Sequence, residues 1–545
     1  MRRQIGRKEL KKQVLQLADA LQKAGVKQND VVAAYMPNVP ETVIAMLATA
    51  AIGAIWCSCA TDIGAAVAYD RVGQLDPVFL FTCDGYYYKG KAFSVIENAG
   101  ALAEKLPGLK GTVVCHYAGD MTKISMIPGS VSWEDFLDSG IYEENFDYPH
   151  FDFDHPLVVM FSSGTTGKPK CMVQSAMGLL LNQLKELVLH SDLKESDRLL
   201  YITTCSWMMW NWQAAAIGTG ATLVLYDGNP SWPDTGAIWR ILEEEKVTVF
   251  GLSASYIHAL VNEGFSARKA ADLSALREIS QTGSALSDKG FDYVYSEIKE
   301  ELFFNSIAGG TDINGCFCIA SPVRPVYANE LQGPGLGMDI DCFDENGKSL
   351  QDAQGELVCK KPAPSMPLYF WKDSEGKQYH SAYFDVHPDI WRHGDYCLFH
   401  GDTQGVTYYG RSDSILKPSG VRIGTAEIYN QVNVLEEIED SLAVGQDVEG
   451  DQRVLLFVKL NPGFELNDAL EKKIKTTLRT KASPRHVPAL IIAAPDIPRT
   501  LNGKKVESAV TNIMNGRAVT NRDALGNPES LDFYVEFAGL QRQLL

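Results

Sequence analysis

Nine consecutive residues, Ser162-Ser163-Gly164-Thr165-Thr166-Gly167-Lys168-Pro169-Lys170, hold the densest chemistry in the chain. Glycines let a backbone bend and expose its N–H groups, and the hydroxyls and lysines add donors for phosphate oxygens. The spacing excludes a Walker A loop. That motif places four residues between its first glycine and Gly-Lys, then Ser or Thr, whereas Gly164 and Gly167 stand three apart and Pro169 follows Lys168. A second group lies near the end, Pro498-Arg499-Thr500-Leu501-Asn502-Gly503-Lys504-Lys505. A lysine on a Pro/Gly-bounded turn can be presented into a cleft, where its ammonium offsets carboxylate or phosphate charge. Between the two come Tyr409-Gly410-Arg411-Ser412-Asp413, then Gly420-Val421-Arg422 and Glu427. Taken singly, these read as a linker with exposed charges.

The elements that must position these groups alternate helix and strand. Apolar runs at 31–35, 53–56 and 78–82 predict strands, with a helix over 41–51. Leu157-Val158-Val159-Met160-Phe161 reads as a buried strand feeding the glycine-rich loop, and 222–226 and 247–252 as further strands around a helix at 239–245. Over 322–411 Gly and Pro become dense and alternation replaces helical spacing, as in Gly355-Glu356-Leu357-Val358-Cys359. Beyond a linker at 411–414, the pattern predicts a helix at 426–439, a strand at 453–460 and an amphipathic helix at 466–480. The fold class is therefore α/β. A large N-terminal domain spans 1–411, as α/β subdomains 1–155 and 156–321 and a β-rich subdomain 322–411. A small α+β C-terminal domain spans 412–545.

Composition narrows the partners. The 545 residues exceed one compact core, and 45% hydrophobic with 22% charged residues is ordinary for a globular protein. A net charge of −18 gives no general reason to bind nucleic acid or an anionic membrane. No apolar run reaches the roughly 20 residues a membrane span needs. The eleven cysteines include no CxxC pair, and Cys57-Ser58-Cys59 and Cys316-Phe317-Cys318 have the wrong spacing for zinc, which predicts reduced thiols in a cytosolic protein. The basic start places Leu10, Val14, Leu15, Leu17, Ala18 and Leu21 at helical spacing, which predicts an amphipathic helix of the fold.

Taken together and in order, the three segments resemble the adenylate-forming superfamily of acyl-CoA synthetases, peptide-synthetase adenylation domains and luciferases, over essentially the whole chain. That resemblance implies two steps. ATP and a carboxylate give an acyl-adenylate and pyrophosphate; a mobile C-terminal domain then swings and a thiol, usually of coenzyme A, displaces AMP. It also implies roles. Ser162, Ser163, Gly164, Thr165, Thr166, Gly167, Lys168 and Lys170 would form the phosphate loop, and Gly283, Ser284 and Ala285 would lie against adenine. Thr311 and Asp312 would meet the α-phosphate and Mg²⁺; the family more often has Glu at Asp312, and the shorter acid can still ligate a hard cation. Asp395, in His393-Gly394-Asp395, would hold the ribose, Arg411 the ribose or phosphate, and Arg422 a phosphate. Asp413 would be the hinge, Lys504 the adenylation lysine and Arg479 a contact to the CoA nucleotide.

Within the superfamily, Trp207-Met208-Met209-Trp210-Asn211, Gly309-Gly310-Thr311-Asp312, Trp391-Arg392-His393-Gly394-Asp395-Tyr396 and Asn527-Pro528-Glu529-Ser530-Leu531-Asp532 resemble the acetoacetate–CoA ligase branch. Acetate-specific relatives carry a Trp at the position of Gly309, so its absence predicts a longer acyl pocket bordered by Gly309 and Gly310. Trp207, Trp210 and Asn211 read either as pocket lining or as core packing. That branch has an additional N-terminal segment before the region matching 7–10, so the chain is expected to be shortened there. Three readings stand: a ligase for acetoacetate, a ligase for another short acid such as butyrate, and a truncated nucleotide-binding product without catalysis. The sequence does not fix an oligomeric state.

Overall fold

The structure is a computed structural model that describes residues 2–162, 169–416, 418, 423–448, 451–500, 503–519, 522 and 525–544. An eight-stranded sheet runs in the order Tyr369–Phe370, Lys170–Ser175, Pro156–Ser162, Ile55–Cys59, Val31–Tyr35, Phe79–Cys83, Gly111–Cys115, Ser130–Ser132. Its central strands are apolar on both faces and wholly buried, as parallel strands covered by helices must be. The predicted N-terminal helix forms over Arg7–Lys23, burying Leu15, Leu17, Ala18 and Leu21. Arg3 pairs with Glu41, and Arg2 with Glu245 at 2.6 Å, so the basic start is tied into the fold.

The division expected at 155/156 falls inside this sheet. Pro156–Ser162 joins Ile55–Cys59 in parallel through Trp56 and Val158, and turns back antiparallel into Lys170–Ser175. A second, five-stranded sheet is parallel throughout, ordered Thr222–Leu223, Arg198–Tyr201, Val249–Ser253, Glu278–Thr282, Phe303–Ser306. The strand expected over 222–226 pairs only at Thr222–Leu223, because Arg198–Tyr201 offers it two partners, Arg198 and Leu199. The β-rich segment forms a four-stranded antiparallel sheet of Ile340–Phe343, Gln354–Cys359, Trp391–Phe399 and Val406–Arg411.

After the short turn Ser412–Ser414 comes a three-stranded sheet, Ile438–Val448, Asp451–Leu460 and Leu490–Ala493. Alternation sorts its residues onto two faces. Leu442, Val444, Leu455 and Phe457 pack beneath Val510, Ile513 and Tyr534, while Ala443, Val454, Leu456 and Val458 pack beneath Ile428, Ile474 and Leu478. The helix expected over 426–439 stops at Val432, and Ile438 already begins the long strand. The Glu-rich stretch favours helix locally, but pairing with Asp451–Leu460 overrides that weak preference.

Candidate active site

The cleft forms where sheets end. In parallel α/β sheets ligands collect beyond the carboxyl ends of the strands, and Thr282-Gly283-Ser284-Ala285 and Ser306 leave the second sheet at that edge. Together with the hairpin of Ala308–Gly310 and Gly315–Cys318, the four-stranded sheet and the C-terminal body, they enclose a cleft of about 1340 Å³.

Most of the sequence-derived residues meet there. Ser162, Lys170, Trp207, Gly283, Ser284, Ala285, Gly309, Gly310, Thr311, Asp312, Asp395, Arg411 and Lys504 all line the cleft. Ser163, Gly164, Thr165, Thr166, Gly167, Lys168 and Arg422 lie outside the described residues, but the feet of the loop are placed: Ser162 pairs with Lys170 across the antiparallel strands. Asp413 sits in the turn Ser412–Ser414, where the chain leaves the four-stranded sheet for the C-terminal body. Gly283 has φ of +102°, a backbone that side-chain-bearing residues rarely adopt.

The groups are fixed by contacts that local sequence does not reveal. Arg411 stands opposite Asp395 and donates through Nη1 to Asp395 Oδ1 at 3.2 Å and to the His393 carbonyl at 3.2 Å. Gly394 makes room for this, since a Cβ there would lie 2.7 Å from Arg411 Nη2. The Tyr383 hydroxyl donates to Asp312 Oδ1, while its ring stacks on Trp391 with centroids 3.5 Å apart. Lys170 Nζ sits 5.6 Å above the Phe370 ring and 5.7 Å above that of Tyr383. Burial alone would push the Asp312 carboxyl up. His393, the Tyr383 hydrogen bond, Arg411 and Lys170 outweigh it and hold that carboxyl below the usual range.

Behind Thr311 and Asp312 lies a buried polar layer. Gln174 Nε2 donates to the carbonyls of Thr311 (3.3 Å) and Asp312 (3.2 Å), and Asn314 Nδ2 donates back to Gln174 Oε1 at 2.9 Å. Glu186 Oε1 accepts from Cys316 N and Asn182 Nδ2, and its Oε2 accepts from Trp212 Nε1 at 3.0 Å. Each of these donors has an acceptor, as buried polar groups require, and Lys185 Nζ stands beside Glu186 Oε1 at 3.6 Å as an ion pair.

Lys504 projects from a turn on the C-terminal body towards Asp395, Asp312 and Arg411. Surrounding protein pulls its ammonium below the ordinary lysine range, aided by Arg411 and opposed by Asp395 and Asp312; its access to solvent in the cleft tempers the effect.

Two expectations change. Trp210 and Asn211 do not line the cleft. Trp210 is 1% exposed, donates to Asn38 Oδ1 at 3.0 Å and stacks on Trp56, and Asn211 Nδ2 reaches Met160 Sδ, because the helix Met208–Ala215 is buried nearly all round. Only Trp207, at the start of that helix, faces the cleft. Gly309 borders it by backbone alone: a Cβ would fall 1.9 Å from the Gly315 carbonyl oxygen, so in this register an added side chain points into the hairpin rather than the acyl space. Arg479 lies on the exposed face of the helix Asp468–Lys481 and does not line the cleft in this arrangement of the domains. Sequence reasoning missed Tyr383, Gln174 and Glu186, which carry no local motif. His393 sat inside a quoted motif, but its burial against Phe317 and Asp395 needed the fold.

Comparisons with known proteins place the chain in a family. A family model described as AMP-binding enzyme matches residues 2–370. The chain is 48% identical over 536 residues to the acetoacetyl-coenzyme A synthetase of Rhizobium meliloti (strain 1021), covering 98% of this chain and 81% of that one. It is 44% identical over 538 residues to the acetoacetyl-CoA synthetase of Mus musculus, covering 98% and 80%. The solved acetoacetyl-CoA synthetase from Streptomyces lividans superposes with a TM-score of 0.92 at 42% identity, over 98% of this chain and 81% of that chain. The anthranilate CoA ligase AuaEII, crystallised with anthranoyl-AMP, shares the fold at 18% identity and a TM-score of 0.77, over 91% and 90%. The chain belongs to the AMP-binding enzyme family and, within it, to the acetoacetyl-CoA synthetases.

Proposed function

We propose that the protein activates acetoacetate with ATP and transfers it to coenzyme A, giving acetoacetyl-CoA, AMP and pyrophosphate. The observation that carries the reading is convergence. Lys170, Gly283, Asp312, Asp395, Arg411 and Lys504, dispersed along the chain, face one cleft.

In the first step an acetoacetate oxygen attacks the α-phosphorus, the bond to the β-phosphate oxygen breaks, and pyrophosphate leaves. Negative charge gathers between the attacking carboxylate and the phosphates, where the Lys504 ammonium is aimed; such preplaced charge is a large part of catalysis. Asp395, oriented by Arg411, holds the ribose hydroxyls, and 283–285 lie along the adenine. Lys170, between two rings, completes the phosphate cradle with the loop that it closes. Thr311 and Asp312 offer hard oxygens suited to Mg²⁺. Among the described residues no group of three or more His, Cys, Asp or Glu side chains could by itself hold a metal ion. Bound at Thr311 and Asp312, Mg²⁺ would offset phosphate charge.

In the second step the thiol of coenzyme A attacks the acyl carbonyl and AMP leaves. The arrangement with Lys504 inside the cleft suits the first step. Rotation of 412–545 about Asp413 would withdraw Lys504 and bring the face carrying Arg479 towards the cleft. The eleven thiols are free and buried, as a reducing, cytosolic setting permits, and no described helix is long and apolar enough to cross a membrane.

Acid-dependent pyrophosphate release, measured with acetoacetate, butyrate and acetate, tests the reading. Acetoacetate should give the highest kcat/KM; a preference for acetate would overturn it, and a preference for butyrate would assign the same reaction to another acid.

A further inference from the structure

Lys504 has to be held still while its own side chain reaches into solvent, and its hairpin is held from the opposite side. Arg499 and Lys505 form an antiparallel bridge at the base of the turn. Thr500 N donates to the Lys504 carbonyl at 2.8 Å, and Gly503, at φ +76°, donates back to the Thr500 carbonyl at 2.8 Å. Alternation then sends Arg499 and Lys505 to one face and Lys504 to the other.

On that rear face stands Asp440, from the strand Ile438–Val448, with its side chain 12% exposed. One oxygen accepts from Lys505 Nζ at 2.7 Å and the other from Arg499 Nη2. Arg499 uses its remaining Nη1 to hold the Gly503 carbonyl, and Lys505 donates to the Ser441 carbonyl at 2.6 Å while lying 3.8 Å above the Tyr429 ring. Burial pushes the Asp440 carboxyl up, but Lys505 and Arg499 outweigh it and hold it below the usual carboxylate range. One carboxylate thus grips both strands of the turn that presents Lys504.

We propose that Asp440 is a positioning residue for Lys504: by clamping Arg499 and Lys505 it fixes the angle at which the lysine enters the adenylation site. This rests on Lys504 acting in adenylation. The clamp's residues all belong to the C-terminal body, so it travels with the hairpin, and in this arrangement Asp440, Arg499 and Lys505 also border the cleft.

Two half-reactions, measured separately, test it: acetoacetate-dependent ATP–pyrophosphate exchange, and thioester formation from synthetic acetoacetyl-adenylate and coenzyme A. Asp440→Asn keeps the shape and removes the charge. It should lower exchange about tenfold or more, the scale of a disturbed charge-assisted contact, and leave thioester formation within about twofold. Combined with Lys504→Ala it should add nothing, because the clamp acts only through that lysine. Equal loss in both half-reactions, or additive losses in exchange, would overturn the proposal. Lys504→Ala alone reports on the underlying reading: if it slows both half-reactions equally, the role of Lys504 fails, whatever Asp440 does. Should Asp440→Asn fail to fold, Lys505→Met decides. It leaves the Arg499–Asp440 pair intact and should show the same one-sided loss; unchanged exchange would overturn the proposal.

Discussion

Replacing Tyr383 by Phe removes a single oxygen from the site. The ring stays, because it is stacked on Trp391 and meets Phe370, Tyr379 and Phe384 edge-on. What goes is the hydroxyl that donates to Asp312 Oδ1. Hydrogen bonds to charged groups contribute about 1.5–3 kcal/mol, which corresponds to about ten- to 150-fold in rate. The effect belongs to adenylation, since Asp312 faces the α-phosphate in the proposed mechanism. ATP–pyrophosphate exchange as a function of ATP and Mg²⁺ should therefore show a lower kcat/KM for ATP, with thioester formation from supplied adenylate close to normal. A second variant checks the geometry. Glu at 312 is one methylene longer and runs into the Tyr383 hydroxyl, so Asp312→Glu should be impaired alone and partly recover when combined with Tyr383→Phe. Exchange within twofold of wild type in Tyr383→Phe, or no recovery in the double variant, would refute the reasoning.

Further outcomes follow from the same contacts. Gly309→Ala forces a methyl against the Gly315 carbonyl, an overpacking that costs about 1–3 kcal/mol; it should lower both Tm and adenylation rate, and a melting curve like that of wild type would contradict the tight register. Glu186→Gln sets an amide N–H₂ against the N–H groups that the carboxylate now accepts, so adenylation should fall, and Trp212→Phe should restore part of it by removing one donor. His258 accepts from Ser287 N, and burial, then Lys505 and Arg499, pull its pKa down to about 4. The unfolded chain therefore takes up that proton first as pH falls from 6.5, and stability should drop between about pH 6.5 and 4. Thermal melting across that window should show a shallower drop in His258→Gln; parallel profiles would contradict the assignment.

The sequence carried the parts that local chemistry marks. The loop from Ser162 to Lys170 and the turn around Lys504 have compositions that few surface turns share, and the Arg7–Lys23 helix, the parallel strands and the β-rich segment follow from hydrophobic period and turn residues. What could not be read is what depends on register. Trp210 and Trp207 stand three residues apart on one short segment, yet one is sealed against Trp56 and Asn38 and the other faces the cleft. Gly309 gave the residue type of an open pocket, but the direction of its Cβ is set by a bulged pairing with Gly315–Cys318. Tyr383 reaches Asp312 across 71 positions, and Asp440 grips residues 59 and 65 positions away. That Pro156–Ser162 pairs with Ile55–Cys59 was hidden for the same reason, since composition does not say which sheet a strand joins.

The most direct test is a single-turnover experiment with coenzyme A withheld. Purified protein mixed with ATP, Mg²⁺ and acetoacetate should form acetoacetyl-AMP and release one equivalent of pyrophosphate per active chain. Coenzyme A added afterwards should convert the adenylate into acetoacetyl-CoA and AMP. Release of ADP and phosphate instead, or pyrophosphate release that does not depend on the acid, would contradict the account.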